Sequence, residues 1–176
     1  MTMFYFVRHG EPDYESVGDW ADIPFGRQFA GLTPAGEAQI MAAARSLKKA
    51  APQILISSPY TRALQSACIL ARELDIPLRV ERDLHEWDSD RTHTVRDQGE
   101  LLRLCQEHDA CGGIYPDGDG KPWESTQLVR DRVLRVLEKY ADYARVAVAG
   151  HAMMMQAVTG ESRSYAYGEV AAWETR

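Results

Sequence analysis

A chain of 176 residues, 45% hydrophobic and 26% charged, has the length of one domain with a sizeable core and the composition of a soluble globular protein. It carries no run near the roughly 18 to 20 apolar residues that a membrane span requires. A formal net charge of −6 argues against a nucleic-acid partner, which needs a basic face, but leaves room for a local cluster of cations around a small anion.

Met1 to Val7 is apolar but stops at Arg8, and no small-residue cleavage site follows, so it reads as a first strand, Met3–Val7, and not as a signal peptide. Pro12 to Gly31 lacks periodicity and reads as a long loop carrying Tyr14, Trp20, Phe25 and Arg27. Thr33-Pro34 places an N-cap residue before a proline at the first helical position, and Ile40, Met41, Ala44 and Leu47 then fall on one face. Gln53–Ser57 is the second strand. Ser58-Pro59 repeats the cap signal, with Tyr60, Leu64, Ala67, Ala71 and Leu74 as the expected inner stripe. Leu78–Glu81 is a third strand. The stretch from Asp83 to Trp123 mixes a helix over about Thr94 to His108 with a Gly-rich turn from Cys111 to Lys121. A helix over Glu124 to Tyr140 buries Val129, Val133, Val136, Leu137 and Tyr140; strands follow at Arg145–Ala149 and Glu169–Glu174. Strands alternating with helices make this an α/β chain, read as a single domain with irregular segments at about 12–31 and 83–123 as candidates for ligand specificity. Three cysteines, Cys68, Cys105 and Cys111, without metal spacing predict structural thiols in a reducing, cytoplasmic setting.

Two histidines stand at strand ends. Arg8-His9-Gly10-Glu11 follows Tyr5-Phe6-Val7, and His151 follows Val146-Ala147-Val148-Ala149-Gly150. Carboxyl ends of parallel strands open into the crevice where α/β sheets bind ligands. Arg62 falls in the first turn of the helix after Pro59, where free N–H groups and the helix dipole favour an anion. Guanidinium forks match phosphate oxygens, so two imidazoles and two guanidiniums at neighbouring strand ends point to a phosphate site. No carboxylate or Cys/His cluster has metal spacing, so neither a metal nor another cofactor is expected.

Arg8-His9-Gly10-Glu11 resembles the RHG motif of the histidine phosphatase superfamily, which includes the cofactor-dependent phosphoglycerate mutases. Leu32-Thr33-Pro34-Ala35-Gly36, Ser57-Ser58-Pro59-Tyr60-Thr61-Arg62-Ala63, Leu84-His85-Glu86, Glu124-Ser125 with Arg132-Val133, and Val148-Ala149-Gly150-His151 are similar to the family's later motifs, in the same order and over almost the whole chain. The resemblance implies a three-layer α/β/α sandwich on a mixed, mainly parallel sheet with one antiparallel edge strand. It implies His9 as nucleophile, with Arg8, Arg62 and His151 on the phosphoryl oxygens. Gly10 and the backbone at Ala152 would lie near the phosphate, and Glu86 would be the acid and base, with Asp83, Asp88 and Asp90 close enough to take that role instead. The partner would be a small phosphorylated substrate or inorganic phosphate. Ala152 and Trp123 stand where the family usually has glycine, and the mutases' asparagine after RHG is missing. A phosphatase is thus favoured over a mutase, and a phosphate- or phosphopeptide-binding module is the remaining alternative. Tyr14, Trp20, Trp87, Arg91, His93, Arg96 and Trp123 are candidate pocket-lining residues.

Overall fold

The computed structural model describes residues 1–22, 25–95, 97–116 and 120–175. Five strands, β1 (Met3–Arg8), β2 (Ile54–Ser57), β3 (Leu78–Val80), β4 (Arg145–Gly150) and β5 (Val170–Glu174), form one sheet in the order β3-β2-β4-β1-β5. Every pairing is parallel except that of β1 with the edge strand β5. The helices are α1 (Pro34–Leu47), α2 (Thr61–Leu74), α3 (Gln98–Ala110), α4 (Thr126–Glu138) and α5 (Ala152–Thr159). None of these is long and apolar enough to cross a membrane among the described residues.

The strands are apolar on both faces because both faces are covered. Phe4, Phe6, Ile54, Ile56, Val146 and Val148 point to one side and bury against Val129, Val133, Met154 and Met155 of α4 and α5. Val7, Leu55, Ala147 and Ala149 point to the other and meet Ile40, Ala44, Leu47, Ala67 and Leu70 of α1 and α2. The expected three-layer α/β/α sandwich is the observed fold.

Several local expectations need correction. Helix α2 runs from Thr61, with Tyr60 at its N-cap and no side-chain cap there; Ser58 Oγ, two residues earlier, accepts the Tyr60 N–H at 3.2 Å and lies 2.8 Å from His151 Nε2. The inner face of α2 is consequently Arg62, Ala63, Ser66, Ala67 and Leu70; Leu64, Ala71 and Leu74 are only half-buried, and Cys68 is exposed. Met41 also lies on the outer side of α1. Helix α3 begins at Gln98 rather than near Thr94, since Asp97 caps Glu100 N at 2.9 Å while Asp90 holds the Thr92 and Val95 amides in a turn. The 12–31 segment is not wholly irregular: 3-10 turns span Glu15–Asp22 and Gly26–Phe29. The chain after His151, for which no helix is expected from periodicity, forms α5.

Two glycines bring the end of β1 against the start of α1. A Cβ on Gly10 would run into the Gly36 backbone, and one on Gly36 into the Glu11 backbone. Only paired glycines permit that approach, which seats His9 at the base of the crevice.

Candidate active site

The carboxyl ends of β1, β4 and β2 lie side by side, and the residues that follow them are tied across the gap. The His9 N–H donates to Gly150 O at 2.9 Å, and the Ser58 N–H donates to Ala149 O at 3.0 Å. Sheet register therefore brings together segments more than fifty residues apart. The His9 and His151 rings stand edge to face with centroids 5.2 Å apart. Arg62, in the first turn of α2, donates from Nε to His9 Nε2 at 3.2 Å.

These contacts settle the tautomer of His9. Gly10 O accepts only, so Nδ1, 2.7 Å away, carries the hydrogen; Arg62 Nε donates only, so Nε2 presents its lone pair. Burial, followed by the positive charges of Arg62 and Arg8, holds the His9 pKa down at about 3, against the pull of the Gly10 hydrogen bond. A ring nitrogen that is neutral, oriented and flanked by cations is a nucleophile's arrangement.

A pH dependence follows. The folded His9 stays neutral down to about pH 3, whereas the unfolded ring protonates near 6.5. Between those values the unfolded state binds more protons, so His9 makes stability fall as pH is lowered through that window, by about 1.4 kcal/mol per unit at most. Ring-nitrogen NMR, with His9→Asn for assignment, should show the His9 signals unchanged from pH 8 to pH 5. Titration near 6.5 would contradict the burial argument.

The other expected residues surround this nitrogen. Arg62 is 6% exposed and also donates from Nη1 to Arg27 O at 3.3 Å. The Arg8 guanidinium lies 4.1 Å over the Tyr167 ring and donates from Nη1 to Tyr165 O; its Nε is buried with no hydrogen-bond partner among the described residues. His151 is fully buried, its Nε2 2.8 Å from Ser58 Oγ, and its Nδ1 is likewise without a partner there. Burial, then the charge of Arg62, keeps the His151 pKa well below that of a free imidazole. Buried polar atoms are normally paired, so unpaired nitrogens at a cationic strand-end cluster mark a place for acceptor oxygens.

Glu86 is half-buried at the start of α5. Its Oε1 accepts from Trp87 N at 2.9 Å and Met154 N at 3.1 Å, and its Oε2 accepts from Met153 N at 3.4 Å. Burial raises its pKa, opposed by those backbone donors and by Arg62. Asp83 pairs with Arg82 at 2.7 Å, and the Asp90 carboxylate is spent on the Thr92 and Val95 amides. Asp88 Oδ1 accepts from Asp90 N at 3.0 Å. Glu86 is thus the carboxylate that meets α5. Ala152 has no positive φ, being the first residue of α5, so its methyl group imposes no distinct loop here.

The aromatic candidates divide. Trp123 is fully buried with Val95 and Leu104 beneath the 83–123 segment, so it does not line the site. Trp20 is exposed and meets Phe29 edge to face; Tyr14 lies under Arg27; Arg91 and His93 are exposed, with His93 against Phe25. Arg96 lies outside the described residues. The aromatic neighbours of the imidazoles are instead Tyr167, 5.6 Å from His9, and Tyr60, 5.3 Å from His151. Tyr60 carries a phenol pKa pushed up to about 12 by burial and Asp88. By sequence Tyr60 falls in the apolar stripe of α2, and Tyr167 carries no signal beyond its place just before β5, beside β1. The two irregular segments do meet: Gln98 Nε2 donates to Ala21 O at 3.3 Å, and a cleft of about 540 Å³ lies between Phe25, Arg27, Gln28, Ser89, Gln98 and Leu101. Among the described residues, no group of three or more His, Cys, Asp or Glu is placed to hold a metal ion.

A family model described as histidine phosphatase superfamily (branch 1) matches residues 4–174. A relative in Hydrogenobacter thermophilus, named "Putative phosphoserine phosphatase 2", is 35% identical over 86 residues; the match takes in 49% of this chain and only 40% of that protein's length. Among solved structures, Bacillus stearothermophilus YhfR superposes with a TM-score of 0.73 at 19% identity, covering 100% of this chain and 92% of that one. An Entamoeba histolytica phosphoserine phosphatase mutant in complex with phosphoserine gives 0.67 at 20% identity, with 100% and 92% covered. At such identities these structures speak for the fold alone.

Proposed function

Since the chain belongs to the histidine phosphatase superfamily, we propose that it hydrolyses phosphomonoesters through a phosphohistidine on His9. The observation that carries this reading is the His9 ring, fixed at Nδ1 by the Gly10 carbonyl so that the Nε2 lone pair points to Arg62, and faced by His151. In the first step Nε2 forms a bond to phosphorus as the ester P–O bond breaks, and protonated Glu86 gives its proton to the departing oxygen. In the second, water attacks phosphorus, its proton passes to Glu86, the N–P bond breaks and inorganic phosphate leaves. Arg8, Arg62 and His151 hold the phosphoryl oxygens, and preorganised donors of this kind carry most of the catalysis in phosphoryl transfer. The raised pKa of Glu86 fits a group that must be protonated in one step and ionised in the next.

The organic part of the ester is assigned to the cleft between Arg27 and Leu101, where the two irregular segments meet. Phosphoserine, the ligand named for one structural neighbour, is a first substrate to try. The test is phosphate release from a panel of phosphomonoesters, including phosphoserine, with and without a chelator. Release that survives the chelator is expected. Isomerisation without release would make the protein a mutase, binding without turnover a recognition module, and loss of activity rescued by a divalent ion a metal enzyme.

A further inference from the structure

We propose that the buried pair Glu124–Arg132 is the positioning device for the general acid, a role that rests on the assignment of Glu86 above. The pair is 5% and 6% exposed and is joined twice, Arg132 Nε to Glu124 Oε1 at 2.7 Å and Nη2 to Oε2 at 2.9 Å. Burying two charges is costly, and a doubly hydrogen-bonded carboxylate satisfies only part of a guanidinium. The remaining donors all go to one short stretch of backbone. Nη1 donates to Asp83 O at 2.7 Å and to His85 O at 2.9 Å, and Nη2 donates to Glu86 O at 3.2 Å.

Glu124 secures the other side of the same stretch. Its N–H donates to Asp88 O at 2.8 Å, its Oε2 accepts from Asp88 N at 3.3 Å, and its carbonyl accepts from Trp87 Nε1 at 2.6 Å. Residues 83 and 85 to 88 are therefore fastened to the Arg132 side chain and to the backbone and carboxylate of Glu124, and Glu86 leaves this frame toward α5, where the Met153 and Met154 amides donate to its carboxylate. Among the described residues no hydrogen bond of Arg132 goes to His9, Arg8, Arg62 or His151. Its hydrogen bonds thus bear on the acid and not on the phosphoryl pocket. Acid catalysis depends on placement within a fraction of an ångström, and a rigid fork that reaches a carboxylate and three carbonyls at once supplies it where a lysine, with one point charge, does not.

The leaving group reads this out. An alkyl phosphomonoester expels a strongly basic oxygen and needs the proton; p-nitrophenyl phosphate expels a weakly basic one and needs it little. Glu86→Gln should lower kcat/KM, which reports the step that expels the leaving group, about 100-fold more for the alkyl ester than for the aryl ester. Arg132→Lys should shift the same ratio about 10-fold with KM little changed, through displacement of the acid. The double variant Glu124→Gln/Arg132→Met, which removes both charges and so leaves none stranded, should behave as Arg132→Lys does and remain folded by thermal melting. If Glu86→Gln moves the ratio while neither the Arg132 variant nor the double variant does, the pair is structural only and the proposal fails. If Glu86→Gln itself leaves the ratio unmoved, the acid assignment falls and the positioning role falls with it.

Discussion

Replacing His9 with alanine is expected to reduce turnover of p-nitrophenyl phosphate by about four orders of magnitude or more, because in the proposed reaction this residue supplies the bond-forming electron pair. The other imidazole, His151, is fully buried, with its Nε2 2.8 Å from Ser58 Oγ. The measurement has two parts. Initial rates establish the loss, and rapid quenching after mixing with labelled substrate should trap an acid-labile, alkali-stable phosphoryl adduct on the wild-type chain and none on the variant. The fold should survive, since the sheet hydrogen bond at this position is made by the His9 backbone and the methyl of alanine fits within the space of an imidazole. A variant that retains activity, or an adduct that persists in it, would remove His9 from the reaction.

Arg62→Ala should lower kcat/KM about 100- to 1000-fold, the usual cost of deleting a preorganised donor to a developing oxyanion, and should weaken inhibition by phosphate and vanadate in parallel. A second consequence follows from the Arg62–His9 contact. Arg62 holds His9 Nε2 and is the second cause of its depressed pKa, so in the variant the His9 pKa rises from about 3 toward its ordinary value and the ring is freer to turn. Arg62→Lys should restore little, since one ammonium cannot reach His9, Arg27 O and a phosphoryl oxygen together. Unchanged inhibitor affinity in Arg62→Ala would exclude Arg62 from the anion site. Arg8 differs in construction: stacked on Tyr167 and anchored to Tyr165 O, it is supported by the segment before β5, which the linear sequence sets far from it.

Much of this was legible in the linear sequence because the signals are local. Apolar runs ending at Arg8 and Gly150, a threonine before a proline at α1, and the period of Val129, Val133 and Val136 each follow from rules that act within a turn or a strand. Those rules place His9, Arg62 and His151 at the ends of elements, and element ends in a parallel sheet already share one edge. Helix α2 begins at Thr61, two residues after the Ser58-Pro59 signal, and Ser58 Oγ also meets His151, 93 residues away, a contact the linear sequence does not announce. Trp123, offered as a pocket residue, found a better burial site under α3, which no periodicity announces.

What the chain determined by itself is the order of the five strands and of helices α1 to α4, and the chemical inventory at their ends, since both depend on side-chain pattern and backbone conformation over a few residues. What only the tertiary structure decided is which lone pair His9 presents, which aromatic rings flank it, and that Glu124 and Arg132 frame the backbone around Glu86. Each of those is set by a contact between segments remote in sequence. A tautomer, a depressed pKa and the aim of a carboxylate are properties of neighbours in space. They come into being only when packing removes water and leaves specific dipoles in its place.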